Sequence, residues 1–269
     1  ERSMIDTIQG DAEQERSEAG IAEFFEARGA YAVRFARRAE DRRQVQRLRY
    51  EVFARELGAA VEGAERGLDL DPLDDVVDHL LVVDRASGEC VGTYRLATRE
   101  QVGRDPGFYT RRQFVMDRLD PRIEADGVEL GRACVALRHR NRGVFQLLLR
   151  GIGAYLTLAR KRFLFGCGSI LLKEPSESAF VMRSVEREGW IDPALEVEPT
   201  RAYRLPAAQG GATIGPDLPP LLHAYCAMGA RLATRPAWDA AFASLDYFVL
   251  LDLERMDPRS RARYCGAAR

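Results

Sequence analysis

The sequence predicts an α/β domain built on a mixed sheet flanked by helices. Short apolar segments with strand character recur along the first half, at residues 31–35, 80–83, 91–96 and 128–135. One long helical stripe, Phe145, Leu148, Ile152, Tyr155 and Ala159, follows the last of them at three- and four-residue spacing. It leads into 163–172, an uncharged run long enough for a strand buried on both faces. The order strand, helix, hairpin, strand, basic loop, long helix, buried strand, helix is an α/β arrangement, and order alone fits several folds.

Taken in turn, residues 1–26 are rich in Glu, Asp, Ser and Gly and read as an acidic, loosely held leader. Residues 27–269 then form a single domain with a C-terminal extension from about 206. Tyr31, Val33 and Phe35 alternate with smaller or charged residues, as a half-buried strand does. The helix that follows, to Leu57, sets Val45, Leu48 and Val52 on one stripe with arginines around the rest. A carboxylate-rich loop (Glu65, Asp69, Asp71, Asp74, Asp75, Asp78) precedes a hairpin that turns at Ser87-Gly88. A short helix over 176–188 ends at Gly189. A connector over 205–216, a helix over 218–228 and a strand over 247–253 complete the chain.

Composition narrows the function classes. Lys plus Arg number 40 against 41 Asp plus Glu, which excludes a uniformly basic nucleic-acid binder. The longest uncharged runs, 205–216 and 218–230, contain Pro and Gly and fall short of the roughly 20 apolar residues of a membrane span. The opening residues lack the pattern of a secretory signal, so the cytoplasm is the expected compartment, with peripheral contact at the inner face of the membrane left open. The five cysteines (Cys90, Cys134, Cys167, Cys226, Cys265) are scattered, and no His stands at ligand spacing, so no metal site is expected.

Two features bear on chemistry. From Leu130 to Lys173 there is no Asp or Glu, yet Arg132, Arg138, Arg140, Arg142, Arg150, Arg160, Lys161, Arg162 and Lys173 all fall there. Arginines around Asn141-Arg142-Gly143 sit where the long helix starts, which suits a phosphate-bearing ligand or an acidic partner protein. A solvated basic face is the alternative. Immediately before this run stands Glu129, on the strand face opposite Leu130 and shared with Gly131 if the strand is regular. A glycine there marks a bulge or the close approach of a ligand. Glu129 is therefore a general base or the ion-pair partner of Arg132 or another arginine.

Other nucleophile and base patterns fail on geometry. His79 and Asp84 match the His-x-x-x-x-Asp pattern of glycerolipid acyltransferases, but five residues along a strand puts them on opposite faces about 16 Å apart. Ser169 lacks the Gly-x-Ser-x-Gly elbow. Cys134 and Cys167 lie in apolar strands, where a thiol acts as a small hydrophobe. Direct attack of a substrate on an activated acyl donor remains.

Several ordered motifs then point one way. They are Leu48-Arg49-Tyr50-Glu51-Val52-Phe53, the acidic string Asp69, Asp71, Asp74 leading to Asp78-His79-Leu80-Leu81-Val82-Val83-Asp84, and Val91-Gly92-Thr93-Tyr94-Arg95-Leu96. They continue in Gly107-Phe108-Tyr109, Glu129-Leu130-Gly131-Arg132, Phe165-Gly166-Cys167-Gly168-Ser169, Pro236-Ala237-Trp238-Asp239 and Asp246-Tyr247-Phe248. With these, the chain from about Arg47 to Leu253 resembles the acyl-carrier-protein-dependent L-ornithine N-acyltransferases of bacterial ornithine-lipid synthesis, which have the Gcn5-related N-acyltransferase fold. More distantly it is similar to acyl-homoserine-lactone synthases and long-chain N-acyl amino acid synthases.

The resemblance implies transfer of a 3-hydroxyacyl chain from acyl carrier protein to the α-amine of L-ornithine, giving lyso-ornithine lipid. It implies Glu129 as the catalytic carboxylate, Asp71, Asp74, Arg49, Arg95 and Arg132 at the acceptor, and Arg138, Arg140, Asn141, Arg142 and Gly143 at the donor's phosphopantetheine and carrier protein. The acidic loop would hold the acceptor's cationic side chain, or else be a solvated turn or an internal partner for Arg49 and Arg95. No bound cofactor is implied, because the acyl-phosphopantetheine arm is itself a substrate. Only Arg140-Asn141-Arg142-Gly143 remains of the pyrophosphate loop of coenzyme-A-dependent acetyltransferases, which favours a carrier-protein donor. The α-amine, with a pKa near 8, is about a tenth neutral at pH 7, far more than a side-chain amine near 10.4. The alternatives are an N-acyl amino acid synthase with another acceptor, a lactone synthase, and a non-catalytic basic-faced binding module.

Overall fold

The structure, a computed structural model, describes residues 21, 24–104, 107–140, 142–206 and 214–266. Strands β1 (Phe25–Arg28) and β2 (Tyr31–Phe35) form a hairpin, so regular structure begins inside the stretch read as leader, whose residues 1–20 lie outside the described ones. Helix α1 (Ala39–Arg49) buries Val45 and Leu48 on the expected stripe, then widens into π-helical turns over Tyr50–Glu56 that bury Val52. Strands β3 (Asp78–Asp84) and β4 (Cys90–Thr98) are the expected hairpin. Short helices α2 (Arg99–Val102), α3 (Thr110–Gln113) and α4 (Arg122–Ala125), with β5 (Phe114–Val115), lead to β6 (Gly127–Val135).

The long helix α5 (Arg142–Leu158) and the strand β7 (Phe163–Leu171) stand where the periodicity places them. Helix α6 (Ser178–Arg187) ends before Gly189, whose φ of 68° is the left-handed conformation that closes helices at low cost. After β8 (Glu198–Pro199) come α7 (Pro220–Ala227), β9 (Arg231–Leu232), β10 (Ala237–Asp239), β11 (Ser244–Asp252) and α8 (Pro258–Tyr264). Of the expected connector, 207–213 lies outside the described residues.

The main sheet runs in the order β1-β2-β3-β4-β6-β7-β11-β10, with β9 also on β11. Its named ladders are antiparallel except for β6 with β7, and this mixed sheet is the predicted class. The strands alternate cleanly between two cores. On β11, Tyr247, Val249 and Leu251 join the core under α5, where Leu147, Leu148, Ile152 and Tyr155 pack. Phe248 between them joins the opposite core with Phe108, Phe114, Phe163 and Phe165. Each such buried side chain contributes about 1.5–3 kcal/mol relative to exposure. Helix and sheet touch closely enough that a Cβ at Gly151 would lie 2.6 Å from Leu80 Cδ1.

One irregularity positions the site. Strands β6 and β7 pair only from Gly127 with Phe163 to Leu130 with Gly166. Beyond that, β6 stays with β4 while β7 stays with β11, so the sheet splits. On the β4 side, Thr93 pairs with Cys134 and Arg95 with Gly131, which leaves one extra residue on β6. Arg132 takes up that excess with φ of 51°, a conformation non-glycine residues rarely adopt.

Candidate active site

The split holds a cavity of about 350 Å³. Its polar end is walled by Tyr109, Glu129, Arg95, Arg132, Asp239 and Asp246. It passes the freed edges at Gly131, Ala133, Cys167 and Gly168, and ends among Leu149, Ile152, Leu156, Leu222, Met228 and Leu251 beneath α5. Glycine is required at the split: a Cβ on Gly166 would lie 2.4 Å from the Leu130 carbonyl oxygen.

Glu129 lies on the wall of this cavity, 3 % exposed. Its Oε2 accepts from the Tyr109 backbone N–H at 3.0 Å, and its Oε1 accepts from the Thr110 N–H at 2.6 Å and from the Thr110 hydroxyl. Three of about four acceptor positions are thereby used, and one remains on Oε2. Burial raises the Glu129 pKa above the ordinary carboxylate value, opposed by the Thr110 and Tyr109 bonds and by the charge of Arg95. No ion pair to Arg132 or another arginine occurs among the described residues; Arg132 instead meets Asp71. In a regular strand Arg132 would point away from Glu129. The bulge turns its guanidinium onto the same side, 5.6 Å from the centroid of the Tyr109 ring.

Arg49, Arg95 and Arg132 face Asp69, Asp71 and Asp74 in one buried cluster. Arg49 donates from Nε to Asp69 at 2.6 Å and from Nη1 and Nη2 to Asp74 at 2.8 and 2.9 Å. Arg132 Nη2 donates to Asp71 at 2.9 Å. Burial alone would raise Asp71 and Asp74, but the guanidinium groups outweigh it and hold both below the usual carboxylate range. Of the three roles the sequence left open for the acidic loop, the geometry is that of the internal partner: Asp69, Asp71 and Asp74 are buried rather than solvated, and Asp71, Asp74 and Arg49 do not line the cavity. Arg95 and Arg132 do. Arg95 Nη1 lies 3.0 Å from Asp71 but off the hydrogen-bond direction, so it and Arg132 Nε are buried donors without a hydrogen-bond acceptor. His79 is buried in this cluster beside the Asp74 carbonyl, 3.0 Å from Nε2, and pairs in register with Arg95 rather than approaching Asp84.

The opposite wall was not assigned any chemistry in the sequence. Gln113 Nε2 donates to Asp239 at 3.1 Å and to Asp246 at 2.8 Å. Ser244 donates to Asp246 at 2.8 Å, and the Ala241 N–H donates to Asp239 at 2.9 Å. Neither carboxylate has a cationic partner among the described residues. Burial raises the Asp246 pKa despite its hydrogen bonds. The sequence signal was present: both aspartates stand in motifs that carry the family resemblance, although spacing alone suggests nothing for residues 113, 239 and 246.

The basic run disperses in space. Arg140 makes a two-pronged pair with Glu56, both contacts 2.6 Å, and Arg150, Lys161 and Arg162 meet Glu26, Glu100 and Asp252. Arg138 is exposed beside a second groove lined by Glu51, Arg55, Glu89 and Leu137. Gly143 lies in the first turn of α5, whereas Asn141 and the Arg142 side chain lie outside the described residues. The burial that surrounds Cys134 and Cys167 raises both thiols well above their ordinary range, as their apolar strands predict.

Residues 48–150 match the family model of the acetyltransferase (GNAT) domain. The chain is 32% identical over 253 residues to the L-ornithine N(alpha)-acyltransferase of Rhizobium meliloti (strain 1021), covering 87% of this chain and 84% of that protein. It is 30% identical over 254 residues to the L-ornithine N(alpha)-acyltransferase of Brucella abortus (strain 2308), covering 89% and 90%. Among solved structures, the AHL synthase LasI aligns over 88% of this chain and 96% of that one, at 10% identity and a TM-score of 0.49.

Proposed function

The chain belongs to the L-ornithine N(alpha)-acyltransferases, and on that premise we propose that it moves a 3-hydroxyacyl chain from acyl carrier protein to the α-amine of L-ornithine, giving lyso-ornithine lipid. The observation that carries this reading is one continuous cavity with a buried carboxylate at its polar end and an apolar bore beyond the split in the sheet. The apolar end suits an alkyl chain. The polar end suits an amino acid.

In this reading the α-nitrogen attacks the thioester carbonyl carbon, and its proton passes to Glu129 directly or through one water. The tetrahedral intermediate collapses with cleavage of the C–S bond, and the phosphopantetheine thiolate leaves and takes a proton from solvent. A Glu129 pKa raised by burial lies closer to that of the amine, which makes the proton easier to accept. Backbone amides of β6 beyond Leu130, no longer engaged by β7, polarise the carbonyl. Arg95 and Arg132, which line the polar end, hold the acceptor's α-carboxylate. Asp71, Asp74 and Arg49 orient those two arginines. Arg138, Arg140, Asn141, Arg142 and Gly143 keep their proposed role as the approach for an acidic carrier protein, a reading that goes with a cytoplasmic reaction.

Incubation with labelled ornithine and 3-hydroxyacyl carrier protein tests the reading. Labelled lyso-ornithine lipid is expected, formed faster from the carrier-protein donor than from the matching coenzyme A thioester. No labelled lipid from any amino acid and either donor would overturn it.

A further inference from the structure

The pair Asp239 and Asp246 is costly as it stands. A buried carboxylate without a counter-charge is unfavourable, and here two of them share the Gln113 amide and have only neutral backbone N–H and hydroxyl donors besides. Gln113, itself 1 % exposed, turns its Nε2 to the carboxylates, which leaves its Oε1 buried with no donor. All three residues line the cavity. The donors to the two carboxylates are all neutral, and no cation pairs with either among the described residues. An alkylammonium group supplies what is missing: one positive charge and three N–H donors.

The placement fits an acceptor with two amines. Glu129 is held at Tyr109 and Thr110 by the start of α3, and Gln113 is the last residue of the same short helix. The two acidic loci thus meet opposite ends of one short helix, as the two amines of ornithine stand at opposite ends of a four-carbon run, Cα and three methylenes. The Tyr109 and Phe242 rings line the cavity beside them and offer apolar cover for those methylenes. A side-chain amine near pKa 10.4 is cationic at neutral pH, whereas the α-amine is the one that must become neutral to react.

We infer that Asp239 and Asp246, bridged by Gln113, are the subsite for the side-chain ammonium of the acceptor and select ornithine over amino acids whose side chain is neutral. The inference rests on the acyltransferase reading of the cavity, in which Glu129 receives the α-amine.

The test compares ornithine with norvaline, which has the same carbon skeleton without the terminal amine. Calorimetric titration of the full chain with each is expected to show at least about tenfold tighter binding of ornithine, and Asp239→Asn and Asp246→Asn should each reduce that ratio about tenfold or more. The ratio of kcat/KM for the two acceptors should fall in parallel. Wild-type enzyme that binds norvaline as tightly as ornithine overturns the subsite, and so do folded variants that keep the wild-type ratio. If either variant fails to fold, the other variant and the wild-type ratio decide. Selective binding without acylation of either amino acid would sink the acyltransferase reading and leave the subsite standing. Acylation with an unchanged ratio would do the reverse.

Discussion

Two groups of buried aspartates flank one cavity, one behind the wall made by Arg95 and Arg132 and one in the lining itself, and their charges are handled in opposite ways. On the β4 side, Asp69, Asp71 and Asp74 meet three guanidinium groups, and the last two are held below the usual carboxylate range although burial pushes them up. On the β10 and β11 side, Asp246 is as deeply buried but meets only neutral donors, and its pKa rises. Burial is common to both walls, so the counter-charge decides the sign. A wall whose charges are matched internally is a frame; one whose charges are unmatched is set to receive a cation.

Glu129, between the two walls, should give the largest effect. Glu129→Gln is expected to fold and to lower kcat about 10²- to 10⁴-fold near pH 7. The loss should shrink towards pH 9, where the amine deprotonates unaided. Wild-type turnover at pH 7 would remove Glu129 from the chemistry and turn attention to the flanking walls.

The matched wall is broken by Arg49→Met, which strands Asp69 and Asp74 without their main partner. Loss of about 3–5 kcal/mol is expected in urea denaturation, because uncompensated buried charge is among the most destabilising changes. A loss below 1 kcal/mol would mean that the cluster reorganises freely and is no frame.

The unmatched wall should respond in the other direction. Asp246→Asn removes a carboxylate whose folded pKa is raised, so the native protein binds a proton that the unfolded chain, with a pKa near 3.9, has already released. That penalty is fully present above the folded pKa and disappears as pH falls towards 4. Thermal unfolding should therefore show Asp246→Asn more stable than wild type by about 2–4 °C at pH 7.5, with the gain vanishing near pH 4. A lower Tm at pH 7.5 would place Asp246 among the structural groups.

The smallest effect belongs to the surface. Arg138→Glu should leave the fold intact and raise the KM for acyl carrier protein a few-fold at low salt, with the difference fading as ionic strength rises. Salt-independent carrier-protein kinetics identical to wild type would make this face a solvated one.

Much of the frame is legible in the chain. The Tyr31, Val33, Phe35 alternation, the stripe on α1, the hairpin, α5 and the uncharged run of β7 all appear where periodicity puts them, because each reads out a face repeated over several residues. Strands β5, β8, β9 and β10 have only two or three residues each, too few for a period, and exist because a neighbouring strand pairs with them. Glu129 is found from sequence as the last carboxylate before the basic run. Arg132 is named by the resemblance, but the face it takes is not readable from strict alternation, which cannot foresee a bulge that turns one residue onto the other face.

What the sequence by itself determined is the set of buried faces and the stock of charged groups, since hydrophobic periodicity is a local property of a few turns or strand repeats. Which charges meet was decided by the tertiary structure. The nine cations from Arg132 to Lys173 look segregated along the chain, yet Arg132, Arg140, Arg150, Lys161 and Arg162 each find a carboxylate brought from outside that run. Asp239 and Asp246 lie among ordinary residues in sequence and become unmatched only when β10, β11 and Gln113 enclose them. Coulomb energy depends on distance in space and on the surrounding dielectric, and neither is written in the spacing of residues along a chain.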